Sequence, residues 1–357
     1  MKKVKNYYGL IMAGGQGTRF WPWSTGEKPK QFLSIVGTEP LITQTYNRLK
    51  EFLTVENIFI VADGKYLAAV KEAIPGFKEE NYIAEPSPKN TAPCLILSNI
   101  VLSRAGSDAN VVVVPADHYI PDVDTFAAQF LAALDFAEQK FIITSGIKPD
   151  MPHTGYGYIN FAEKEPVQPG DREFFNVVEF KEKPELAVAE KYVKAGNYYW
   201  NSGMFVYKLR HFKELLAEYS PYYYEQYLAL EEAFDDKEKF TGIFNNIEKQ
   251  SIDYALMEKV KEVRMFKARF GWSDVGAWSS VYELNDKDKQ DNAAVRENSI
   301  FIDSRDSLIF STEEKPIAVI GLENVAVINT ENGILVADIK QVQEVKKVLN
   351  ELKKRNS

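Results

Sequence analysis

Chemistry-bearing residues collect where apolar runs of this chain end. The first group, Gly14-Gly15-Gln16-Gly17-Thr18-Arg19, follows the run Leu10 to Ala13, with Lys30 further on. Glycines let backbone N–H groups approach an anion closely, so Gly14, Gly15, Gly17 and Thr18 read as a phosphate cradle. Arg19 and Lys30 add two cations, which suits a polyphosphate held while a phosphorus centre reacts. Two other phosphate loops are excluded by spacing. A dinucleotide fingerprint needs glycine where Phe20 stands, and a P-loop needs a Gly-Lys-Ser/Thr that this stretch lacks.

The second group is a pair of aspartates. Asp117 closes the apolar run Val111 to Val114, and Asp274 lies in Trp272-Ser273-Asp274-Val275-Gly276. Each suits a metal ligand or a helix or turn cap, and together they supply the one or two carboxylates that Mg²⁺ takes beside substrate oxygens and water. Mn²⁺ accepts the same oxygen ligands. His118 points away from its neighbour in extended backbone and is expected to pack.

The third group suits hydroxyls and a phosphate. Glu182 and Lys183 end the alternating run Val178 to Pro184, where a carboxylate can accept from hydroxyls and an ammonium can bind a phosphate; a solvated strand end is the alternative. Asn201 can both donate and accept, or start a turn. Gly155 and Gly157 alternate in Thr154 to Ile159, which marks a strand approached closely by a ligand or by another backbone. Asn90 or Thr91 suits a helix N-cap after Glu85-Pro86-Ser87-Pro88-Lys89. Asp253 is assigned nothing beyond capping, and Tyr222-Tyr223-Tyr224 is core packing.

Alternating elements must position these groups. Short apolar runs at 57–62, 81–84, 110–115 and 141–146 are separated by helical patterns at 41–53, 66–73, 91–104 and 125–139. Such alternation predicts an α/β fold with a mostly parallel sheet covered on both faces, its ligands lying beyond the carboxyl ends of the strands. The expected domains are 1–285, divided into halves 1–150 and 151–285, and 293–357 after the polar linker 286–292. The last domain shows strand-like runs at 299–303, 308–311, 317–320, 325–329 and 334–337 and a helix to Lys354, which suits a small sandwich or a short solenoid.

With 43 basic and 51 acidic residues the net charge is −8, a field that opposes binding to nucleic acid or to an anionic membrane. Any phosphate ligand must therefore be held by local groups. One cysteine, Cys94, excludes an intrachain disulfide and, with three histidines, argues against a zinc site. The basic N-terminus reads as neither signal peptide nor anchor, no run is long enough to span a bilayer, and a cytoplasmic location is expected.

The stretch from Arg19-Phe20-Trp21-Pro22 to Lys30-Gln31-Phe32-Leu33 resembles the signature of the sugar nucleotidylyltransferase family, and is most similar to the branch that uses GTP and mannose 1-phosphate. That resemblance spans nearly the whole chain. It implies a Rossmann-like nucleotidyltransferase domain with a short left-handed β-helix-like domain behind it, and a homodimer. The implied reaction is attack by mannose 1-phosphate on the α-phosphorus of GTP, giving GDP-mannose and pyrophosphate with Mg²⁺ as cofactor. The carried-over roles are Arg19, Lys30, Asp117 and Asp274 in catalysis, the two aspartates holding the metal. Glu85, Asn90 and Thr91 fall to the base or ribose, and Gly155, Glu182, Lys183 and Asn201 to the sugar phosphate. Cys94 stands where a small alanine is more usual. The chain resembles the family's short form, without an added isomerase domain. The rival expectations are another pair of triphosphate and sugar phosphate, or a regulatory subunit that binds a sugar nucleotide without turning it over.

Overall fold

The computed structural model describes residues 7–15, 17–106, 108–167, 173–295 and 298–356; Gln16 of the signature and the basic residues before Asn6 lie outside them. The chain folds into two compact units, each assembled from separate segments. Unit 1 takes the described residues up to Gly14 with Thr45–Ala116 and Ile120–Trp272. Unit 2 takes Gly15–Gln44, Asp117–Tyr119 and the described residues from Ser273 onward. Compactness thus groups much of the signature with the C-terminal domain, cutting across the linear boundary drawn at the polar linker.

Unit 1 is built on a nine-stranded sheet of order β3-β2-β1-β4-β8-β5-β9-β7-β6. Its strands are β1 (Tyr7–Met12), β2 (Ile58–Asp63), β3 (Tyr82–Glu85), β4 (Asn110–Pro115), β5 (Ile142–Ile147), β6 (Tyr158–Pro166), β7 (Phe175–Lys181), β8 (Tyr198–Lys208) and β9 (Val263–Lys267). The first four pair in parallel. Val111–Val114 is buried along its whole length, as a central strand covered on both faces requires. The sheet is mixed beyond that point: β8 runs antiparallel to β4 and β5, β5 pairs in parallel with β9, and β7 is antiparallel to β9 and β6.

Helix α3 (Thr91–Gly106) is apolar around most of its circumference because it lies in the core with α6 (Leu209–Tyr219) and α7 (Pro221–Glu232). Tyr227 of α7 is buried, and its hydroxyl donates to Asn99 at 3.0 Å. The expectation of a strand from Thr154 is corrected. Strand β6 begins only at Tyr158, and residues 154–157 form a turn in which the Gly155 N–H is taken by His153 Nδ1 at 3.1 Å. Near the end of the unit, Asp253–Met257 is a π-helical turn, with Ala255, Leu256 and Met257 buried.

Unit 2 is organised around a short solenoid, the second of the two architectures the strand spacing allows. Strands β10 (Ala293–Ala294), β12 (Leu308–Ser311) and β14 (Val325–Thr330) stack in parallel, and β11 (Ser299–Ile302) stacks on β13 (Ile317–Ile320). Strand β15 (Gly333–Asp338) turns back antiparallel on β14. The coils advance 18 residues from β11 to β13 and from β12 to β14, and 15 from β10 to β12. Buried serines fasten them: Ser304 and Ser307 accept from the backbone N–H groups of Leu322 and Val325 one coil on. The core joins Leu308, Phe310, Ala326 and Ile328 to Trp278 of α9 (Trp278–Leu284), to Val342, and to Val345 of α10 (Val345–Asn356).

Candidate active site

Within unit 2, Gly17, Thr18, Arg19, Lys30, Asp117 and Asp274 line one cavity of about 280 Å³. Gly17 has a left-handed backbone, and a Cβ there would collide with the Lys30 Cβ, so only glycine lets the two strands of the loop meet. The turn Thr18–Phe20 then buries Phe20, while Trp21 and Trp23 lean on the same core. Phe20 and Trp23 pack on Trp278 and Phe310 with ring centroids 5.1 and 4.6 Å apart, and the Trp278 indole donates to the Trp21 carbonyl at 3.1 Å. The aromatic part of the signature is a foundation for the loop.

Lys30 is nearly buried at 5 % exposure. Its ammonium donates to Asp117 Oδ2 at 2.9 Å and to the Asp274 carbonyl oxygen at 2.6 Å, which links all three segments of the unit. Burial pushes the Asp117 carboxyl up, but the Lys30 ammonium and His118 more than reverse this and hold it below the usual carboxylate range. The two aspartate segments are fixed side by side by backbone bonds of 2.9 and 3.0 Å between Tyr119 and Ser273. Next to Asp274, the buried Val275 has a φ of 46°, a strained conformation for a β-branched residue. A Cβ on Gly276 would lie 2.8 Å from Asp274 Oδ2, so that glycine makes room for the carboxylate. Two hard carboxylates in one cavity with cationic side chains form a donor set suited to a metal ion shared with phosphate oxygens. His118, expected only to pack, is buried but also lines this cavity. Gly15 is exposed, with open space where a Cβ would stand, and is not among the lining residues.

Unit 1 gathers the other candidates in two places. At the end of β3, Glu85 is buried, and Gly14 packs so closely that a Cβ there would lie 3.3 Å from Glu85 Oε2. Burial pushes the Glu85 carboxyl up to about 7, against a hydrogen bond from the Cys94 thiol and with the help of Asp63. Asn90 has a φ of 71° and its side chain accepts from the Thr91 N–H, while the Thr91 hydroxyl accepts from the Ile252 N–H at 2.8 Å. Thr91 therefore ties the start of α3 to the segment that carries Asp253.

The second place joins Glu182, Lys183, Asn201 and Asp253. Lys183 has a φ of 45° and its ammonium pairs with Glu182, while the Glu182 N–H donates to Glu258 at 3.2 Å. The Asn201 amide oxygen accepts from Gly203 N at 3.1 Å, which turns its Nδ2 toward Asp253 Oδ1, also at 3.1 Å. Gly157, rather than Gly155, lies beneath this cluster: a Cβ on Gly157 would collide with Glu182 Oε2. Burial and the Glu182 charge push the Asp253 carboxyl up to about 7, with Lys183 and the Asn201 hydrogen bond opposing. Sequence reasoning missed Asp253. The available signal was a carboxylate directly ahead of the buried run Ala255–Met257, where the next residues pull it inward; π-turns often mark functional sites.

The nucleotidyl transferase family model matches residues 8–291, and the MannoseP isomerase/GMP-like β-helix domain model matches residues 297–352. A mannose-1-phosphate guanylyltransferase of Escherichia coli strain K12 is 34% identical over 97% of this chain and 73% of its own length. The xanthan biosynthesis protein XanB of Xanthomonas campestris pv. campestris is 35% identical over 96% of this chain and 73% of its own. A crystal structure from Thermus thermophilus, described as mannose-1-phosphate geranyltransferase, superposes with a TM-score of 0.87 at 27% identity over 98% of this chain and 99% of that one. With a family model matched over most of its length, curated relatives about one-third identical along nearly all of it and a solved structure that superposes from end to end, the chain belongs to the nucleotidyl transferase family.

Proposed function

We propose that this chain transfers a guanylyl group from GTP to α-D-mannose 1-phosphate, giving GDP-mannose and pyrophosphate by direct in-line displacement. The observation that carries the reading is the cavity that brings Arg19, Lys30, Asp117 and Asp274 together. The choice of base and sugar follows relatives named mannose-1-phosphate guanylyltransferase along nearly the whole chain. Phosphorus transfer asks for positioning and charge neutralisation more than covalent help, so no side chain is needed as nucleophile. Gly17 and Thr18 present backbone to the phosphates, Arg19 binds their oxygens, and Lys30 holds Asp117 ionised and in place. Asp117 and Asp274 would hold Mg²⁺, which supplies neutralisation of the triphosphate charge when bound.

In unit 1, Glu182, Asn201 and Asp253 accept from and donate to the sugar hydroxyls, and Lys183 binds the sugar's phosphate. Glu85, beside Gly14, takes the base or ribose together with Asn90. A homodimer goes with the reading: Ile300, Ile302 and Ile320 are exposed on β11 and β13, a surface that a second copy would cover. So does a cytoplasmic location, where the buried free thiol of Cys94 stays reduced.

The test is pyrophosphate release by the purified chain from GTP and mannose 1-phosphate, with and without Mg²⁺, beside glucose 1-phosphate and the other triphosphates. Metal-dependent release confined to GTP and mannose 1-phosphate is expected. Release with another pair overturns the substrates, and release with none overturns the activity in favour of a sugar-nucleotide-binding subunit.

A further inference from the structure

The phosphate cavity has a lining residue contributed by neither the signature nor the aspartate segments. Lys346, in the first turn of α10, lines it together with Gly17, Thr18, Arg19 and Lys30. The buried Val342 and Val345 fix the start of α10 in the core of unit 2, and α10 packs on the Thr18–Phe20 turn. Lys346 is thus carried to the cavity by a helix seated through its apolar neighbours.

Charge balance gives this position a meaning. Leaving Lys346 aside, the cavity sets Arg19 and Lys30 against Asp117 and Asp274, and the Lys30 ammonium is already committed to Asp117 and to the Asp274 carbonyl. Such a lining is close to neutral, whereas a nucleoside triphosphate and its leaving pyrophosphate bring several negative charges. Lys346 tips the balance. Its neighbour Lys347 pairs with Glu344 at 2.5 Å, while among the described residues no carboxylate lies within ion-pair distance of Lys346. Within its own helix nothing rewards a cation there either, because the first turn of a helix is its electropositive end and this one carries no acidic residue.

We propose that Lys346 is a further catalytic residue, whose ammonium binds the phosphates that leave as pyrophosphate, so that the C-terminal domain completes the phosphate site. The proposal deepens the nucleotidyl-transfer reading and rests on it. As a compact point charge on a flexible stem, Lys346 can follow the phosphate oxygens as the bond to the α-phosphorus breaks.

The experiment compares Lys346→Ala, Lys346→Arg and Lys347→Ala in the full chain. For Lys346→Ala, both the KM for GTP and the concentration of pyrophosphate needed for product inhibition rise about tenfold, the scale of one charge-assisted hydrogen bond. The KM for mannose 1-phosphate stays within about twofold, Lys346→Arg recovers most of the loss, and Lys347→Ala behaves as wild type. Unchanged GTP and pyrophosphate constants in Lys346→Ala overturn the proposal, as does an equal weakening of both substrates with a lowered Tm. If the wild type releases no pyrophosphate from any pair, the activity reading falls on its own, and calorimetry with magnesium pyrophosphate then decides on Lys346. Binding lost in Lys346→Ala and kept in Lys347→Ala upholds the role; equal binding, or none by the wild type, overturns it.

Discussion

The phosphate cavity of unit 2 and the sugar-side cluster of unit 1 both gather carboxylates, yet their electrostatics run in opposite directions. In the cavity, Asp117 faces the Lys30 ammonium and is held ionised. In the cluster, Asp253 faces Glu182, and burial with that like charge pushes it up to about 7. On the proposed function, the difference follows what each place would bind. Metal ions and phosphates need fixed full charges, whereas neutral hydroxyls are matched by a carboxyl able to accept and, when protonated, to donate. The sign of the perturbation, more than the presence of an acidic side chain, separates the two kinds of site.

The sharpest way to break this contrast is to remove charge from the cavity. Lys30→Ala or Asp117→Ala should lower turnover at least about a hundredfold, because each loses a preorganised electrostatic contact and strands a partly buried opposite charge. Pyrophosphate release measures it, and a near-wild-type rate for Lys30→Ala would remove that residue from the mechanism. The equivalent change on the other side is milder. Asp253→Asn keeps an acceptor for Asn201 but loses the ionisable group, so the KM for mannose 1-phosphate should rise about tenfold while the KM for GTP is unaffected. Steady-state kinetics in both substrates separate this from general damage, which would raise the two together.

The smallest effect is one of stability against pH. Asp253 titrates near 3.8 when unfolded and at about 7 when folded, so the folded chain favours its protonated form. The stability gained from that preference is full below the unfolded value and is lost as pH rises through the folded one. Asparagine cannot ionise and escapes the loss. The Tm of Asp253→Asn relative to wild type should therefore be higher, by a few degrees, at about pH 8 than at about pH 4. A constant difference would mean that Asp253 is not held in its neutral form.

Legibility in the sequence follows the range over which each residue acts. Gly17, Arg19 and Lys30 are readable because the turn and its cations lie close in the chain, and Asp117 because a buried strand delivers it to the sheet edge. The α/β alternation and the five strands of the last domain are likewise local patterns. The antiparallel entry of β8 is not, since a strand's neighbours are set by tertiary packing. Gly155 and Gly157 look alike in sequence, and only the fold of Glu182 over one of them shows which is confined. Asp253 and Lys346 escape for the same reason: each reaches its cluster through apolar neighbours packed elsewhere. The solenoid's period is hidden because its coils are few and its corners are closed by serines, which carry no repeat of their own.

Unit 2 draws Phe20 and Trp23 from early in the chain and Trp278 and Phe310 from its last third. At the pace of protein synthesis, on the order of tens of seconds separate the emergence of those two sets from the ribosome. Throughout that interval the aromatic signature lacks the side chains it packs on within its own unit, and Asp117 and Lys30 lack the segment of Asp274. On the proposed function, the phosphate site of unit 2 therefore stays incomplete however well β1 to β9 have formed, and it comes into being only once the segment of Asp274 has been made.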